Sequence, residues 1–454
     1  MEIKNIRLRN VGRFVDLQVA LAPTHQHASN VTVLVGNNGA GKTSLLKSVA
    51  LSLSWLVARI RSEKGSGNRI AEDVIHNSAS TASISISIHD TYARDVEIEF
   101  SPERDNFDWS VTAVRKGRKA DANSQLTDVS HLADNYRAML GINDQASVPL
   151  IVFYPVERSV LEIPLKIKTR HTFGQLDGYD NSLNGGVDFR RFFEWFRERE
   201  DGENEVGVPT NVLTDISRRF GQDSELWHAL SQLNASSRDR QLTAVRSAIA
   251  AFMPGFNNLR VQRKPRLHMA IDKDNVTLNV SQLSQGEKSM MALVGDIARR
   301  LAMMNPSLKN PLEGDGIVLI DEVDLHLHPK WQRTLVRQLT TTFPNCQFLL
   351  TTHSPLVISD AKDVLCYVMD DGDVQEQPGL YGLDANQVLL SVMDTDIRNS
   401  DVQQKLDGLH SLLQDGKVEE ATSLYASLLE ELPAGHLELA KAALLIRKLG
   451  MRRA

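Results

Sequence analysis

Residues 36–43, with the sequence GNNGAGKT, combine glycines, a lysine and a hydroxyl in an order that suits a bound phosphate chain. Glycines let backbone N–H groups approach phosphate oxygens, and the N-terminus of a following helix adds a favourable dipole. The lysine can reach the β- and γ-phosphates, and the threonine hydroxyl can ligate Mg²⁺. The pattern therefore predicts an ATP-binding loop that consists of Gly36, Asn37, Asn38, Gly39, Ala40, Gly41, Lys42, Thr43 and Ser44.

Two carboxylates follow the apolar run GIVLI at residues 316–320. Asp321 is expected to hold the Mg²⁺ shell, and Glu322 is expected to polarise the attacking water. His353 follows another apolar run, FLLTT, and can hydrogen-bond the γ-phosphate from there. The predicted catalytic residues are therefore Lys42, Glu322 and His353, and the predicted metal ligands are Thr43 and Asp321.

Residues 283–288, LSQGEK, precede a helix that is predicted to run from Ser289 to about Met304. A serine hydroxyl and a glycine N–H at such a helix start can donate to a γ-phosphate. A serine followed three residues later by a glutamate is also a helix capping box, which needs no ligand. Because the phosphate loop lies upstream and the paired carboxylates downstream, we favour the phosphate role for Ser284, Gln285, Gly286 and Glu287.

These motifs require a sheet whose strands end close together. Short apolar runs at 31–35, 149–154, 316–320 and 347–352 are typical of its buried strands. Period-two alternation across 82–114 predicts an antiparallel sheet that includes the run 96–101. Residues 174–186 are expected to be a flexible loop, and the aromatic helix after them is expected to pack in the core or at a subunit interface. We expect an α/β P-loop head in two lobes, 1–160 and 256–375, with a helical insertion at 161–255 and a helical region at 376–454.

Composition limits the class of protein. The chain has 454 residues, 42% hydrophobic and 24% charged, and a net charge of −6. These values exclude wholesale disorder and a surface that coats nucleic acid throughout, although a local basic groove stays possible. Two cysteines exclude a disulfide framework. No apolar run of about 20 residues is apparent, so we expect a cytoplasmic protein with no membrane partner.

The order of the four motifs resembles that of the ABC ATPase superfamily. This resemblance implies a head-to-head dimer, or a higher oligomer, that sandwiches two ATP molecules, with the signature serine facing the nucleotide of the other copy. Residues 321–332, DEVDLHLHPKWQ, depart from the transporter pattern and place 325–328 at the D-loop. A metal site at Asp324, His326 and His328 is the alternative interpretation of this segment.

The same resemblance suggests roles for four further residues. Glu157 or Arg158 occupies the region of the Q-loop, and Arg13 and Phe14 are candidates to approach the adenine. No glutamine typical of a transporter Q-loop is apparent, which argues against a transporter subunit.

The segments 321–332 and 350–355, together with 192–204 and 381–398, resemble the RecF/SMC/OLD-like cluster, and most of all the PtuA-type ATPases of Septu anti-phage systems and of retrons. The resemblance implies control of a separately encoded HNH-type nuclease such as PtuB, and contact with DNA through that complex. No intrinsic nuclease is expected, because the acidic pairs Asp370–Asp373 and Asp394/Asp396 lack the rest of a nuclease pattern. The alternative is a RecF-like DNA-repair ATPase that binds DNA in an ATP-dependent manner.

Overall fold

The chain folds into two units, Met1–Leu383 and Asp384–Ala454. The computed structural model describes residues 1–91, 104–118, 123–156, 173–185, 187, 189–207, 210–221, 223–393, 398–433 and 435–453. Several sequence predictions lie outside these residues: the strand-like run 96–101, the Q-loop candidates Glu157 and Arg158, and the acidic pair Asp394/Asp396. The four-part division of the chain stays a prediction.

The strands of the described residues are, in chain order, β1 (Glu2–Val11), β2 (Phe14–Ala20), β3 (Val31–Gly36), β4 (Thr81–His89), β5 (Asn106–Val114), β6 (Leu150–Tyr154), β7 (Phe256–Gln262), β8 (His268–Lys273), β9 (Val276–Asn279), β10 (Gly316–Ile320), β11 (Cys346–Thr351), β12 (Leu365–Asp370) and β13 (Asp373–Glu376). The α-helices are α1 (Lys42–Arg61), α2 (Thr127–Ile142), α3 (Phe189–Val206), α4 (Thr210–Phe220), α5 (Glu225–Ser236), α6 (Arg240–Phe252), α7 (Gln285–Met304), α8 (Pro329–Thr342), α9 (Pro355–Ser359), α10 (Ala385–Ser391), α11 (Ser400–Gln414), α12 (Val418–Glu431) and α13 (Leu437–Arg453). Short 3-10 helices occupy Glu72–Val74, Gln175–Tyr179, Val280–Gln282 and Pro311–Glu313.

The central sheet has the strand order β13-β12-β3-β11-β10-β6. All of its pairs are parallel except β12 with β13. Strands β6, β10 and β11 are buried along their whole length, which explains why their sequences are continuous apolar runs. Because the parallel strands share one direction, the residues that follow β3, β10 and β11 meet at one edge of the sheet.

A second, antiparallel sheet has the order β2-β1-β4-β5. The alternation in β4 buries Ala82, Ile84, Ile86 and Ile88, so the period-two prediction is confirmed for β4 and β5. A third antiparallel sheet, β7-β8-β9, precedes the helix α7. The fold is therefore an α/β P-loop head with antiparallel β subdomains, a helical insertion and a helical C-terminal region.

Among the described residues, one helix, α1, is long and apolar enough to cross a membrane by length and composition alone. However, 56% of its most apolar window is buried in the fold. The expectation that no run approaches this length was therefore wrong. The helix follows the glycine loop and packs on α2 and β4, so its apolar face is part of the core. Helix α2 was missed, although Val129, Leu132, Ala133, Tyr136 and Met139 carry a helical spacing and are all buried.

The insertion contains helices α3 to α6. The aromatic residues of α3 are each at most 3% exposed, so they pack in the core of this chain: Phe189, Phe192, Phe193, Trp195 and Phe196. The flexible loop predicted at 174–186 is wrong for Gln175–Tyr179, because Tyr179 is buried and its hydroxyl donates to the Pro149 carbonyl at 2.7 Å.

The C-terminal unit contains α10 to α13, as the sequence predicts. Its apolar core is formed by residues from α11, α12 and α13, namely Leu406, Leu409, Leu413, Ala421, Leu428, Leu439 and Ala442. In the larger unit, Cys346 and Cys366 are buried free thiols, as expected, and burial raises the pKa of Cys366 to about 12.

Candidate active site

The glycine loop joins β3 to α1. Gly39 and Gly41 have φ angles of 84° and 108°, which L side chains rarely adopt. A Cβ atom at Gly36 would lie 2.2 Å from the Met369 carbonyl oxygen, and one at Gly41 would lie 2.5 Å from the Phe14 ring. The glycines are therefore required by packing as well as by conformation, and Phe14 lies against the loop.

Lys42 begins α1 and is only 6% exposed. Its Nζ donates to the carbonyl oxygens of Gly36 at 2.6 Å and Asn37 at 3.1 Å, so the side chain folds back over the loop. Burial lowers the pKa of Lys42 below its ordinary value, while the negative charges of Asp321, Glu322 and Asp324 act in the opposite direction. The loop lysine and the carboxylates after β10 therefore form one electrostatic site.

Asp321 lies at the end of β10 and is fully buried. Its N–H donates to the Tyr154 carbonyl at 2.9 Å, and its Oδ1 accepts from the Thr351 hydroxyl at 2.6 Å. Its Oδ2 is buried without a hydrogen-bond partner among the described residues. A buried carboxylate oxygen in this condition is costly unless a cation or water satisfies it. Because carboxylate and hydroxyl oxygens are ligands that Mg²⁺ prefers, Asp321, with Thr43 in the first turn of α1, fits a divalent cation.

Glu322 follows with a φ angle of 45°, in the left-handed region that costs a non-glycine residue free energy. Its N–H donates to the Thr351 hydroxyl at 2.7 Å. The Thr351 hydroxyl therefore holds both carboxylate residues, since it accepts from the Glu322 N–H and donates to the Asp321 carboxylate. The sequence pattern alone assigns no role to this threonine.

His353 lies one residue beyond Thr352 at the end of β11, and its side chain is exposed. Its N–H donates to Asp324 Oδ1 at 3.3 Å, and the Thr352 hydroxyl donates to the same oxygen. Asp324 therefore fastens the loop after β10 to the segment that carries His353.

The alternative interpretation is a metal site at Asp324, His326 and His328, but Asp324 Oδ1 already accepts the two hydrogen bonds just described. His328 Nδ1 accepts the N–H of Lys330 at 3.2 Å and so caps α8. Among the described residues, no group of three or more His, Cys, Asp or Glu side chains is placed to hold a metal ion.

The signature residues cap α7. Ser284 Oγ accepts the N–H of Glu287 at 3.4 Å, and Glu287 Oε2 accepts the N–H of Ser284 at 2.8 Å, so a capping box is present. Although burial raises it, hydrogen bonds from Lys273 and Ser284 hold the pKa of Glu287 below its ordinary value. A Cβ atom at Gly286 would lie 2.4 Å from the His326 carbonyl oxygen, so the signature loop packs on the D-loop of its own chain.

Ser284 and Gln285 are exposed. Within the described part of the chain, no hydrogen bond or ion pair joins residues 284–287 to residues 36–44. The single chain therefore brings together the loop, the two carboxylates and the strand end before His353, while it leaves the signature residues available on its surface.

A buried ionic cluster on α7 supports this arrangement. Asp296 accepts from Arg299 at 2.6 Å, from Arg300 at 2.7 Å and from the Tyr154 hydroxyl at 3.0 Å, and all four side chains are buried. Burial and the Asp296 charge raise the pKa of Tyr154 well above its ordinary value. Since the Tyr154 carbonyl accepts the Asp321 N–H, the cluster connects the signature helix to the residue that precedes Glu322. Sequence reasoning missed this cluster.

Residues 31–359 match the family model described as "AAA domain, putative AbiEii toxin, Type IV TA system". The chain is 32% identical over 463 residues to the Retron Ec83 probable ATPase of Escherichia coli, a match that covers 94% of this chain and 81% of the relative. It is 37% identical over 97 residues to the Septu protein PtuA of Bacillus mycoides (strain KBAB4), covering 21% of this chain and 13% of that protein.

Among solved structures, the chain is similar to the "SmcHead bound to the C-winged helix domain of ScpA", with a TM-score of 0.46 and 14% identity over 83% of this chain and 98% of that one. The two curated relatives confirm the predicted resemblance to retron-associated and PtuA-type ATPases.

Proposed function

This chain is an ATPase that belongs to the AAA-domain family matched by its residues 31–359, and we propose that it is the ATP-hydrolysing subunit of an anti-phage defence complex. In this proposal it controls a separately encoded HNH-type nuclease such as PtuB, contacts DNA through the complex and works in the cytoplasm. The observation that carries the proposal is the relative named a retron ATPase, which matches 94% of the chain.

The proposed chemistry is hydrolysis of the β–γ phosphoanhydride bond of ATP. The N–H groups of residues 36–44 and Lys42 would bind the phosphates, and Thr43 and Asp321 would hold Mg²⁺. When bound, Mg²⁺ supplies charge neutralisation at the β- and γ-phosphates. Glu322 accepts a proton from the water whose oxygen attacks the γ-phosphorus, and the bridging oxygen leaves with ADP. His353 donates a hydrogen bond to the γ-phosphate from the end of β11.

Two copies are proposed to complete each site head to head. Ser284, Gln285, Gly286 and Glu287 of one copy would face the nucleotide held by the other. Two features support this arrangement: the exposure of Ser284 and Gln285, and the helix N-terminus that their capping box leaves open to an anion.

The C-terminal region 376–454 is proposed as an interface with the nuclease or with further copies. Its helices expose leucines that a solvated surface does not require: Leu429 is 50% exposed, Leu437 66% and Leu444 69%. A contiguous apolar patch is typical of a protein interaction site, and in this proposal the three leucines contribute to such a patch.

The test is to look for an HNH protein in the neighbouring reading frames and to reconstitute it with this chain. We expect the chain alone to hydrolyse ATP without cutting DNA, and the pair to cut DNA in a manner that changes when Glu322 is replaced by Gln. Cleavage of DNA by the purified chain with ATP would contradict this division of labour. Tight ATP-dependent DNA binding, with no nuclease copurifying, would favour the RecF-like alternative.

A further inference from the structure

A second cleft lies at the opposite end of the central sheet. Its walls include Asn30 and Val364, which directly precede β3 and β12, and Pro344, which lies two residues before β11. Its volume is about 810 Å³. The glycine loop follows the carboxyl end of β3, and a six-residue strand spans about 20 Å. The cleft is therefore separate from the nucleotide site but is built on the same strands.

The floor of this cleft is preorganised. Ser29 Oγ donates to the Asp363 carbonyl at 2.7 Å, and Asn30 Nδ2 donates to the Pro344 carbonyl at 3.2 Å. These bonds join the three loops that precede the parallel strands. Arg333 of α8 forms an ion pair with Asp360 at 3.0 Å, which fixes the helical wall to the loop before β12.

The cleft is positively charged, whereas the chain as a whole is negatively charged. The lining contains Arg333, Arg337 and Lys362 against the single carboxylate of Asp360, which gives a local net charge of +2 (three cations minus one anion) in a chain of net charge −6. Arg333 is paired with Asp360, whereas Arg337 and Lys362 form no ion pair among the described residues. Both side chains are exposed to the cleft and can donate charge-assisted hydrogen bonds to an anion.

An aromatic ring completes the site. Tyr381 lines the cleft and is 61% exposed, an unusual state for a large ring. The N–H of the next residue, Gly382, donates to the Ser359 carbonyl at 2.9 Å, so the segment that carries the ring is anchored. Positive groups beside an exposed aromatic ring are the combination on which nucleotide phosphates and bases bind. A pocket of this volume is also in the range that accepts a single small ligand.

We propose that this cleft is a second nucleotide-binding site, in which Arg337 and Lys362 hold a phosphate and Tyr381 stacks on the base. The nucleotide is either free or part of a single strand, since both present the same phosphate and base. The inference does not depend on the proposed function, because it rests on residues outside the ATP site.

The test measures binding to the full chain in the Lys42→Ala background, which removes the glycine-loop lysine from the comparison. The probes are thymidine 5′-monophosphate and a short, fluorescein-labelled, 5′-phosphorylated oligothymidylate. We expect Arg337→Ala and Lys362→Ala each to weaken probe binding about tenfold. Each should also lower the slope of log affinity against log salt for the oligonucleotide by about 0.7. Tyr381→Ala should weaken binding, and Tyr381→Phe should restore it.

Lys309→Ala, which removes an exposed cation outside the cleft, is the matched control and should bind as the unmodified chain does. With Lys42 intact, ATP turnover should be unchanged in the Arg337 and Lys362 variants, which shows that they are folded. Displacement of the oligonucleotide by the monophosphate identifies a free nucleotide, and binding of the oligonucleotide alone identifies a strand.

Three results would overturn the proposal. The first is unchanged binding in both cation variants. The second is displacement of the probe by polyglutamate as effectively as by the nucleotide, which would indicate an acidic peptide. The third is equal displacement by inorganic phosphate together with no effect of Tyr381→Ala, which would mean that no base is recognised.

Discussion

Replacing Thr351 with Val tests the bond that joins the two carboxylate residues of the candidate active site. Valine has nearly the same shape, but it removes the donor to Asp321 Oδ1 at 2.6 Å and the acceptor of the Glu322 N–H at 2.7 Å. Thr351 is fully buried, so water cannot replace either bond. A buried polar group that loses its partner costs about 1–3 kcal/mol.

The loss of these two hydrogen bonds should lower kcat more than it lowers nucleotide affinity. Without Thr351 Oγ1, the left-handed backbone at Glu322 can relax and carry its carboxylate away from the attacking water. If about 3 kcal/mol of positioning is lost at the transition state, kcat falls about 10²-fold, since 1.36 kcal/mol corresponds to a factor of ten. Nucleotide affinity should change little, because Lys42 and the glycines are untouched.

The assay is steady-state ATP hydrolysis together with equilibrium binding of a fluorescent ATP analogue. Thr351→Ser keeps the hydroxyl and should recover most of the turnover. Wild-type kcat in the Val variant would refute the positioning role. An equal loss in the Ser variant would show that the methyl group, rather than the hydroxyl, carries the effect.

The other predictions concern different parts of the site. Glu322→Gln should keep ATP binding, slow hydrolysis by orders of magnitude and trap the dimer, as measured by turnover and size-exclusion chromatography with ATP. Ser284→Arg should abolish dimer-dependent hydrolysis, and in a mixed dimer with Lys42→Ala one of the two composite sites should stay active. Asp296→Asn should lower the free energy of unfolding by about 3–5 kcal/mol in urea titrations, because it leaves buried arginines without their partner. Glu287→Gln should be less stable than wild type at neutral pH, and the difference in the free energy of unfolding should shrink in acid. The reason is that the lowered pKa of Glu287 stabilises the fold above its ordinary value of 4.5, and this stabilisation is lost as pH falls through the native pKa.

Each of these tests has a result that would contradict it. Unchanged turnover in Glu322→Gln would show that Glu322 is not the base. A mixed dimer whose turnover is only the sum of the turnovers of its two variants would argue against shared sites. Asp16→Asn is the control for Asp296→Asn, because Asp16 pairs with Arg7 on the surface and its loss should be much smaller. A stability difference that stays constant from neutral to acid pH would contradict the ionic role of Glu287.

The local parts of the site were predictable because their chemistry depends on short spacings. The glycine loop, the carboxylates after β10 and the cap of α7 each occupy a few consecutive residues, and each lies at the end of the predicted element. The strands of the central sheet were equally predictable, because a strand that is buried on both faces requires apolar residues along its whole length.

Long-range features were not predictable in the same way. Asp296, Arg299 and Arg300 resemble a solvated face in the sequence, and their burial depends on Tyr154, 142 residues from Asp296. The two bonds of Thr351 cross between neighbouring strands, 29 and 30 residues away. Gln175–Tyr179 looked like a loop because its composition is polar, whereas the Tyr179 hydroxyl donates to the Pro149 carbonyl and the Gln175 side chain donates to the carbonyls of Ala146 and Met304.

The left-handed backbone at Glu322 has a consequence for how this chain tolerates change. Glycine or asparagine would adopt the φ angle of 45° at lower cost, so a screen for protein abundance should favour them at this position. A screen for ATP turnover should reject both, because neither can accept the proton from water. Abundance and activity are therefore expected to rank substitutions at residue 322 in opposite orders, so a variant that accumulates best in cells would be among those with the least ATP turnover.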